Sequence, residues 1–428
     1  RLRPMFGRDA AQDPLFNVEG GCSLEYKKED AADVSRFTFD KVFGMESSQE
    51  EVFAEIGEVA LDSLRKGFNS TILAYGQTGS GKTFSMEGAK DSATGQYTSR
   101  GLIPRIFESV FALFSGDPLI KEFTVSLQFI ELYNEQLQDL LGNRKVVEVS
   151  GDPTGGYQCR EAVRHVCKDP ADAQAVYNKG CSMRATASTK MNEASSRSHA
   201  LLQLSVAWVE QRGKSFAQLN LVDLAGSEGM KKTGAEGKNA KEGIKINLSL
   251  TKLALTVKCL AEGSKHIPYR ESKLTMMLAK GLGGNNMLHI ILALSNSRLQ
   301  VAEGTACLRF GQSCLSMTVN PNANKLEKEQ AEMKAVIKEQ MQEISALQQE
   351  NEDLKAQLEE NKKRGSSAAD GEIPEYMIAK HIEVNKEALQ DDLKEAAEQI
   401  EDLKAALEEK RREKLALTSS GADGGADG

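Results

Sequence analysis

Gly76-Gln77-Thr78-Gly79-Ser80-Gly81-Lys82-Thr83 follows directly on the apolar run Ile72-Leu73-Ala74-Tyr75, and no other stretch restricts this chain so tightly. The spacing is that of a phosphate-cradling loop, G-x-x-x-x-G-K-[ST], set between a buried strand and a helix. Its glycines let backbone N–H groups turn toward phosphate oxygens, and the helix that follows presents its N-terminus to the anion. Lys82 is placed to reach β- and γ-phosphates and the Thr83 hydroxyl to ligate Mg²⁺. A chance glycine turn needs no such match behind a strand. Kinases, switch GTPases and motors all use a loop of this kind, so other residues must choose among them.

A second strand ends in Leu221-Val222-Asp223-Leu224-Ala225-Gly226-Ser227-Glu228. A carboxylate at the end of a buried strand suits the outer coordination of the same Mg²⁺, which assigns Asp223. Gly226, without a Cβ, can bring its backbone N–H close to a γ-phosphate. Asn192-Glu193-Ala194-Ser195-Ser196-Arg197-Ser198-His199 sets small hydroxyls beside an arginine, which suits contacts to the γ-phosphate and to a metal-bound water; a cap or loop is the plainer use of two serines. No Asn-Lys-x-Asp guanine-reading motif occurs, since Asn178-Lys179 continues Gly-Cys and Asn324-Lys325 continues Leu-Glu. ATP is therefore expected over GTP.

The first 318 residues or so mix helical and extended patterns. Val125 to Leu132 alternates as a strand, Gln218 to Asp223 and Leu288 to Leu294 read as buried strands, and Ile103, Ile106, Phe107, Val110, Phe111 and Phe114 recur at helical spacing. With the phosphate loop, this gives an α/β fold of the P-loop NTPase type: a central, mostly parallel sheet with helices on both faces, followed by an α-helical coiled coil. The longest apolar run, Leu288 to Leu294, holds seven residues including His289, against about 20 for a bilayer span, so no membrane insertion is expected. The seven cysteines form no CxxC pair; their odd number suits reduced thiols in the cytosol. No basic-then-apolar leader is visible, and the opening Arg1-Leu2-Arg3-Pro4, without Met, predicts further residues before it.

After the helix-breaking stretch Asn320-Pro321-Asn322-Ala323-Asn324 the pattern changes to heptads. Met333, Gln340, Leu347 and Leu354 fall at d, with Ile337, Ile344, Asn351 and Leu358 at a. A single buried Asn at a fixes register and favours a parallel dimer. A lone amphipathic helix lying on the globular part is the alternative, but flanks rich in Glu and Lys all round do not require it. Residues 365–374 read as a hinge. A second seam over 375–417 has Ile382, Leu389, Ala396 and Leu403 at d and Leu393, Ile400 and Leu407 at a, and 418–428 is a Gly-, Ala- and Asp-rich tail expected to be disordered. The net charge of −8 belongs to this C-terminal part: residues 325–417 carry 16 basic and 24 acidic side chains, whereas 229–280 carry eleven basic and four acidic. A basic surface on an otherwise balanced domain implies an acidic partner.

Taken together, Gly76–Thr83, Asn192–His199 and Asp223–Glu228, in this order and spacing, resemble the phosphate loop and two switches of kinesin motor domains. Arg1-Leu2-Arg3-Pro4, Glu131-Leu132-Tyr133-Asn134-Glu135, Lys232-Thr233-Gly234-Ala235-Glu236-Gly237 and Tyr269-Arg270-Glu271-Ser272-Lys273-Leu274-Thr275 match as well, so the likeness covers residues 1 to 318. It implies a motor domain over 1–313, a neck linker over 314–324, and coiled coils over 325–364 and 375–417. It further implies that Arg1, Arg3 and Pro4 lie at the adenine with Phe84 as aromatic neighbour, and that Asn192, Ser195 and Ser196 form the first switch, Ser196 near Mg²⁺. Arg197 is implied to pair with Glu228 when the switches close, Gly226 to report the γ-phosphate, and Glu228 to take a proton through a water relay.

The resemblance also implies that the acidic partner is tubulin, in microtubules, met by Lys231, Lys232, Lys245, Lys252, His266, Arg270 and Lys273, with Lys238, Lys241, Lys258 and Lys265 adding charge. No nucleic-acid partner is expected; a homodimer is, with location in the cytoplasm on the microtubule cytoskeleton. Two departures stand out. Asn247-Leu248-Ser249-Leu250 has Leu where many relatives have Lys, and Lys252, one turn on, is placed to replace it. Leu315-Ser316-Met317-Thr318-Val319 lacks the Lys and Asn of well-studied plus-end motors. The implied activity is an ATP-driven, plus-end-directed motor. A microtubule depolymerase is the runner-up, but Val18 to Phe37 lacks that subclass's Lys-Val-Asp; a non-motile ATP-binding tether is opposed by intact Lys82, Thr83, Arg197, Asp223 and Glu228.

Overall fold

The structure is a computed structural model that describes residues 1–6, 13–27, 34–91, 94–152, 156–188, 197–210, 213–228, 238–283 and 286–317, with the backbone alone at 186–188 and 238–247. All of them belong to one unit, Arg1–Asn322. The coiled-coil, hinge and tail segments 325–364, 365–374, 375–417 and 418–428 lie outside the described residues.

The strand Asn69–Tyr75 organises the unit. Ile72 and Ala74 serve one hydrophobic core and Leu73 and Tyr75 another, as the two-residue period of a strand requires. A strand buried on both faces reads as a continuous apolar run, and that is what the sequence shows. The first core is closed by the Leu102–Ser115 helix, whose Ile103, Ile106, Phe107, Val110, Phe111 and Phe114 are all buried as their spacing predicts. On the other face the helices Lys238–Ala261, Lys273–Gly283 and Val301–Leu315 contribute Leu253, Leu278 and Leu308.

The expectation of a mostly parallel sheet is not met: the sheet is mixed. Asn69–Tyr75 pairs in parallel with Gly213–Asp223 and Asn286–Leu292. The rest of the eight-stranded sheet is antiparallel, built from Ile120–Tyr133, Gln136–Asp139, Lys145–Val147, His165–Cys167 and His199–Glu210. The cause is the chain's use of hairpins. His199–Glu210 returns as Gly213–Asp223 along eleven paired positions, and Ile120–Tyr133 turns into Gln136–Asp139 through Asn134 and Glu135, both at positive φ. A two-residue turn with that backbone suits the twist of the strands. Glu135 also accepts the Lys273 N–H at 2.8 Å, which ties this hairpin to the start of the Lys273–Gly283 helix. There Ser272 Oγ caps the Thr275 N–H at 3.1 Å.

The final helix runs through Leu315, so Cys314 and Leu315, read from sequence as the start of the linker, are helical. Cys314 and Met317 pack on the second core. Among the described residues, no helix is long and apolar enough to cross a membrane.

Candidate functional site

The carboxyl ends of the parallel strands converge on the glycine loop. Gly76 sits at φ 149°, and a Cβ there would run into the carbonyl oxygen of Ala293, so the turn out of the strand requires glycine. The short Lys82–Met86 helix follows the loop. Lys82 Nζ donates to Gln77 O at 2.9 Å. Burial lowers its pKa, while the Asp223 and Glu228 carboxylates oppose that shift.

Thr83 Oγ1 donates to Asp223 Oδ2 at 2.7 Å, which joins the loop to the end of the Gly213–Asp223 strand. The other carboxylate oxygen, Asp223 Oδ1, is buried and has no hydrogen-bond partner among the described residues. A hydroxyl and a carboxylate at this distance, with one acceptor oxygen unused, fit a hard cation held by Thr83 with Asp223 behind it. Arg184 backs the strand end: its guanidinium donates to Ser198 Oγ and O at 3.2 and 2.9 Å and lies 3.6 Å from Asp223 Oδ2. Nothing near Met183-Arg184 in the sequence marks this role; it arises from packing across about 40 residues.

The segment after Asp223 folds over the loop. Ser227 N–H reaches Gly76 O at 3.1 Å. Glu228 accepts the Thr78 N–H at 2.8 Å and the Thr78 hydroxyl. Glu228 thus closes on the loop. Gly226 lies beneath this contact, and a Cβ there would meet Thr78 Oγ1 and both Glu228 oxygens.

His199 is the residue the sequence reading left without a role. Its Nδ1 accepts the Ala225 N–H at 3.1 Å and its Nε2 meets Ser249 Oγ at 2.9 Å, so one ring spans the segment after Asp223 and the Lys238–Ala261 helix.

Beside the loop opens a cleft of about 470 Å³ lined by Arg3, Pro4, Phe6, Thr78, Gly79, Lys82, Thr83, Phe84 and Leu224. Arg3 donates to Gly79 O at 2.8 Å and its guanidinium lies 4.3 Å from the Phe6 ring centroid. A guanidinium, a proline and two rings make a slot for a flat heteroaromatic base. Phe6 was not singled out from sequence; its place beside Pro4 is the only local signal. Arg1, expected at the adenine, has its guanidinium 5.1 Å from the Phe84 ring centroid and donates to Gln49 Oε1 at 2.7 Å and Ser85 Oγ at 3.1 Å.

On the face formed by the Lys238–Ala261 helix and the turn after it, Leu248 is 39% exposed. Lys252 pairs with Glu271, Lys273 with Glu148 at 2.7 Å, and Arg270 Nε donates to Tyr157 OH at 3.2 Å. His266, Lys258 and Lys265 are exposed. Asn192, Ser195, Ser196, Lys231 and Lys232 lie outside the described residues, and Lys238, Lys241 and Lys245 are described only as backbone within the helix.

A glycine loop between a buried strand and a helix, a strand-end carboxylate on the loop's Thr, and a glycine-bearing segment folded over both define a phosphate-loop nucleotide site on a three-layer α/β fold. The kinesin motor domain family model matches residues 1–317, and the chain belongs to that family. It is 37% identical over 347 residues to a kinesin heavy chain of Syncephalastrum racemosum, a match covering 79% of this chain and 36% of that protein. It is 38% identical over 318 residues to Kinesin-related protein 3 of Dictyostelium discoideum, covering 73% of this chain and 26% of that one. The solved structure of a fast kinesin superposes with a TM-score of 0.69 at 33% identity, over 75% of this chain and 91% of that one. The match thus spans little more than a third of the length of the first of these proteins and about a quarter of the second.

Proposed function

We propose that the chain is an ATP-driven microtubule motor, plus-end-directed, working as a homodimer on the cytoplasmic microtubule cytoskeleton. The observation that carries this reading is the double junction at the loop, Thr83 with Asp223 and Thr78 with Glu228, which makes the second switch part of the nucleotide site. The fast kinesin it resembles at TM-score 0.69 is described by its ATPase mechanism and its interactions with microtubules.

In this reading Lys82 leaves Gln77 O for the β- and γ-phosphates, and the slot of Arg3, Pro4, Phe6 and Phe84 takes the adenine. Thr83 and Ser196, with Asp223 behind them, would hold Mg²⁺, which would supply charge neutralisation for phosphoryl transfer to water. Asn192 and Ser195 complete the first switch around the γ-phosphate. Glu228 exchanges Thr78 for Arg197 when Gly226 follows the γ-phosphate inward, and from there accepts the proton of the attacking water through a relay. Release of the contact lets the Lys238–Ala261 helix answer to the nucleotide, and the segment after Leu315 carries the movement onward as a linker to a coiled coil over 325–364. Microtubule-stimulated ATPase activity together with gliding of polarity-marked microtubules is the test. Stimulation without gliding overturns the motor, and absence of stimulation overturns the coupling.

The partner face yields a salt-dependent expectation. Glu271 neutralises Lys252, and half-exposed pairs of this kind are worth about 0–1 kcal/mol. Tubulin carboxylates can therefore compete for Lys252. Glu271→Gln is expected to tighten microtubule co-sedimentation about two- to fivefold at low salt. Lys252→Glu, which faces both Glu271 and tubulin with a like charge, is expected to weaken it by more. If both variants sediment like wild type at every salt concentration, the contact rests on Lys231, Lys232, Lys245, His266, Arg270 and Lys273 alone.

For the dimer, a fragment holding 325–364 is expected to sediment as a two-stranded species. Asn351→Ile is expected to raise its melting temperature while admitting higher oligomers. Monomer at tens of micromolar, both for this fragment and for 325–417, overturns the coiled-coil dimer.

A further inference from the structure

At the edge of the main sheet, away from the glycine loop, three unlike donors converge. Among the described residues the strand His165–Cys167 pairs only with Ile120–Tyr133, and its residues His165 and Cys167, two apart, project to the same side. Asp172, in the first turn of the Pro170–Ser188 helix, comes back over them. One ring nitrogen, one sulfur and one carboxylate oxygen lie within 4.8 Å of one another. His165 Nε2 and Asp172 Oδ2 are 3.6 Å apart. Cys167 is 5% exposed, and the hydrogen-bond partner of its sulfur among the described residues is the His165 carbonyl at 3.9 Å.

We propose that His165, Cys167 and Asp172 form a zinc site that staples the edge strand to the helix following it. Zinc takes nitrogen at about 2.0–2.1 Å, oxygen at about 2.0–2.2 Å and sulfur at about 2.3 Å in a tetrahedron, so its donors stand roughly 3.3–3.7 Å apart. The histidine and aspartate are already at that separation, and the sulfur needs to close by no more than about 1 Å. Half-exposed His165 and Asp172 can rotate to supply this, and they leave the fourth position open to water. The mixed imidazole, thiolate and carboxylate set selects zinc over magnesium or calcium, which require oxygen donors. The site has its outer support as well. The Lys168 N–H donates to Asp172 Oδ2 at 3.0 Å, and Asp169 Oδ1 accepts the Asp172 N–H at 2.8 Å, which fixes the turn that presents the carboxylate. On zinc binding, the thiol proton of Cys167 leaves to solvent and the sulfur bonds as thiolate. The ion would brace the helix that carries Arg184, the residue behind Ser198 and Asp223.

The test is a Co²⁺ titration of the metal-stripped full chain, with Zn²⁺ displacement. One Co²⁺ per chain is expected to give the intense visible bands of four-coordinate cobalt and a sulfur-to-cobalt charge-transfer band in the near ultraviolet. Stoichiometric Zn²⁺ should abolish both and raise the melting temperature, and Mg²⁺ should do neither. Co²⁺ at the phosphate-loop site has oxygen donors and gives no sulfur band, so the two sites are separable. His165→Gln, a change at a half-exposed position, is expected to lower Co²⁺ affinity by more than the roughly 10–100-fold that loss of an outer partner costs. Cys167→Ser should remove the charge-transfer band. Absence of four-coordinate bands overturns the site. So does a charge-transfer band that survives unchanged in His165→Gln, because the sulfur then belongs to another cysteine. The His165→Gln result stands even if Cys167→Ser does not fold.

Discussion

Lys82→Ala is expected to abolish nucleotide binding, and Glu228→Ala to leave binding nearly intact while removing turnover. The two side chains stand in the same loop environment, yet they act on different states. The Lys82 ammonium is buried, and its single described hydrogen bond is to Gln77 O, a neutral acceptor that a phosphate oxygen outcompetes. Each charge-assisted hydrogen bond is worth about 1.5–3 kcal/mol, so losing contacts to two phosphates weakens affinity by at least about a hundredfold. Glu228 instead holds Thr78, a contact of the protein with itself. Thr78 is exposed enough for water to replace the lost carboxylate, so binding should change by less than about tenfold. Loss of the proton acceptor proposed above should lower the hydrolysis rate about 10²–10⁴-fold. Fluorescent-nucleotide titration and single-turnover hydrolysis with microtubules present separate the two effects. A Glu228→Ala protein that hydrolyses ATP at the wild-type rate removes Glu228 from the chemistry.

What could be read from the sequence here was local. The strand before the glycine loop and the periodicity of Leu102–Ser115 are each specified within one short segment, and both elements form there; Thr83 also meets the carboxylate that ends Leu221-Val222-Asp223. The strand pairing was not legible because its signal is split between distant segments. Gln203 and Asn220 bond each other at 3.1 Å across facing positions, and Gln218 reaches Ser205, so two antiparallel strands carry polar residues that break the apolar run a reader looks for. The same holds for charge. Buried Glu131 pairs with Arg144 at 2.8 Å and lies 3.7 Å from Arg184, a cluster in which no member predicts the others. Lys252 was legible as a cation one helical turn from Leu248, but its partner Glu271 was hidden by the intervening turn.

His199 is expected to make the protein acid-sensitive in a manner that its replacement by Leu removes. The ring is 2% exposed and held at both nitrogens. Because Nδ1 accepts the Ala225 N–H, the proton sits on Nε2 and is donated to Ser249. A second proton has no place to go without breaking the Ala225 bond. Burial, followed by the positive charges of Arg184 and Lys82, takes the pKa down to about 3. With the folded value below the unfolded one of about 6.5, the unfolded chain binds the proton first. The contribution to stability is therefore complete above about pH 6.5 and is lost as pH falls from there toward 3, reaching on the order of 5 kcal/mol. Between pH 7.5 and 5, this one group accounts for about 2 kcal/mol. His199→Leu leaves the buried Ala225 N–H without its acceptor and should cost about 1–3 kcal/mol at pH 7.5. Since leucine does not titrate, the gap between wild type and variant should narrow as the solution is acidified. Urea denaturation of both proteins at a series of pH values measures it, and other groups, including the part-buried His289, cancel in the difference. Parallel pH slopes would mean that the ring is not held neutral between Ala225 and Ser249. Ala225 adjoins Gly226, and Ser249 lies on the helix proposed to meet the microtubule. The same variant should therefore blunt microtubule stimulation of ATP turnover more than it slows turnover without microtubules, since the link it removes lies between the two sites and not within either.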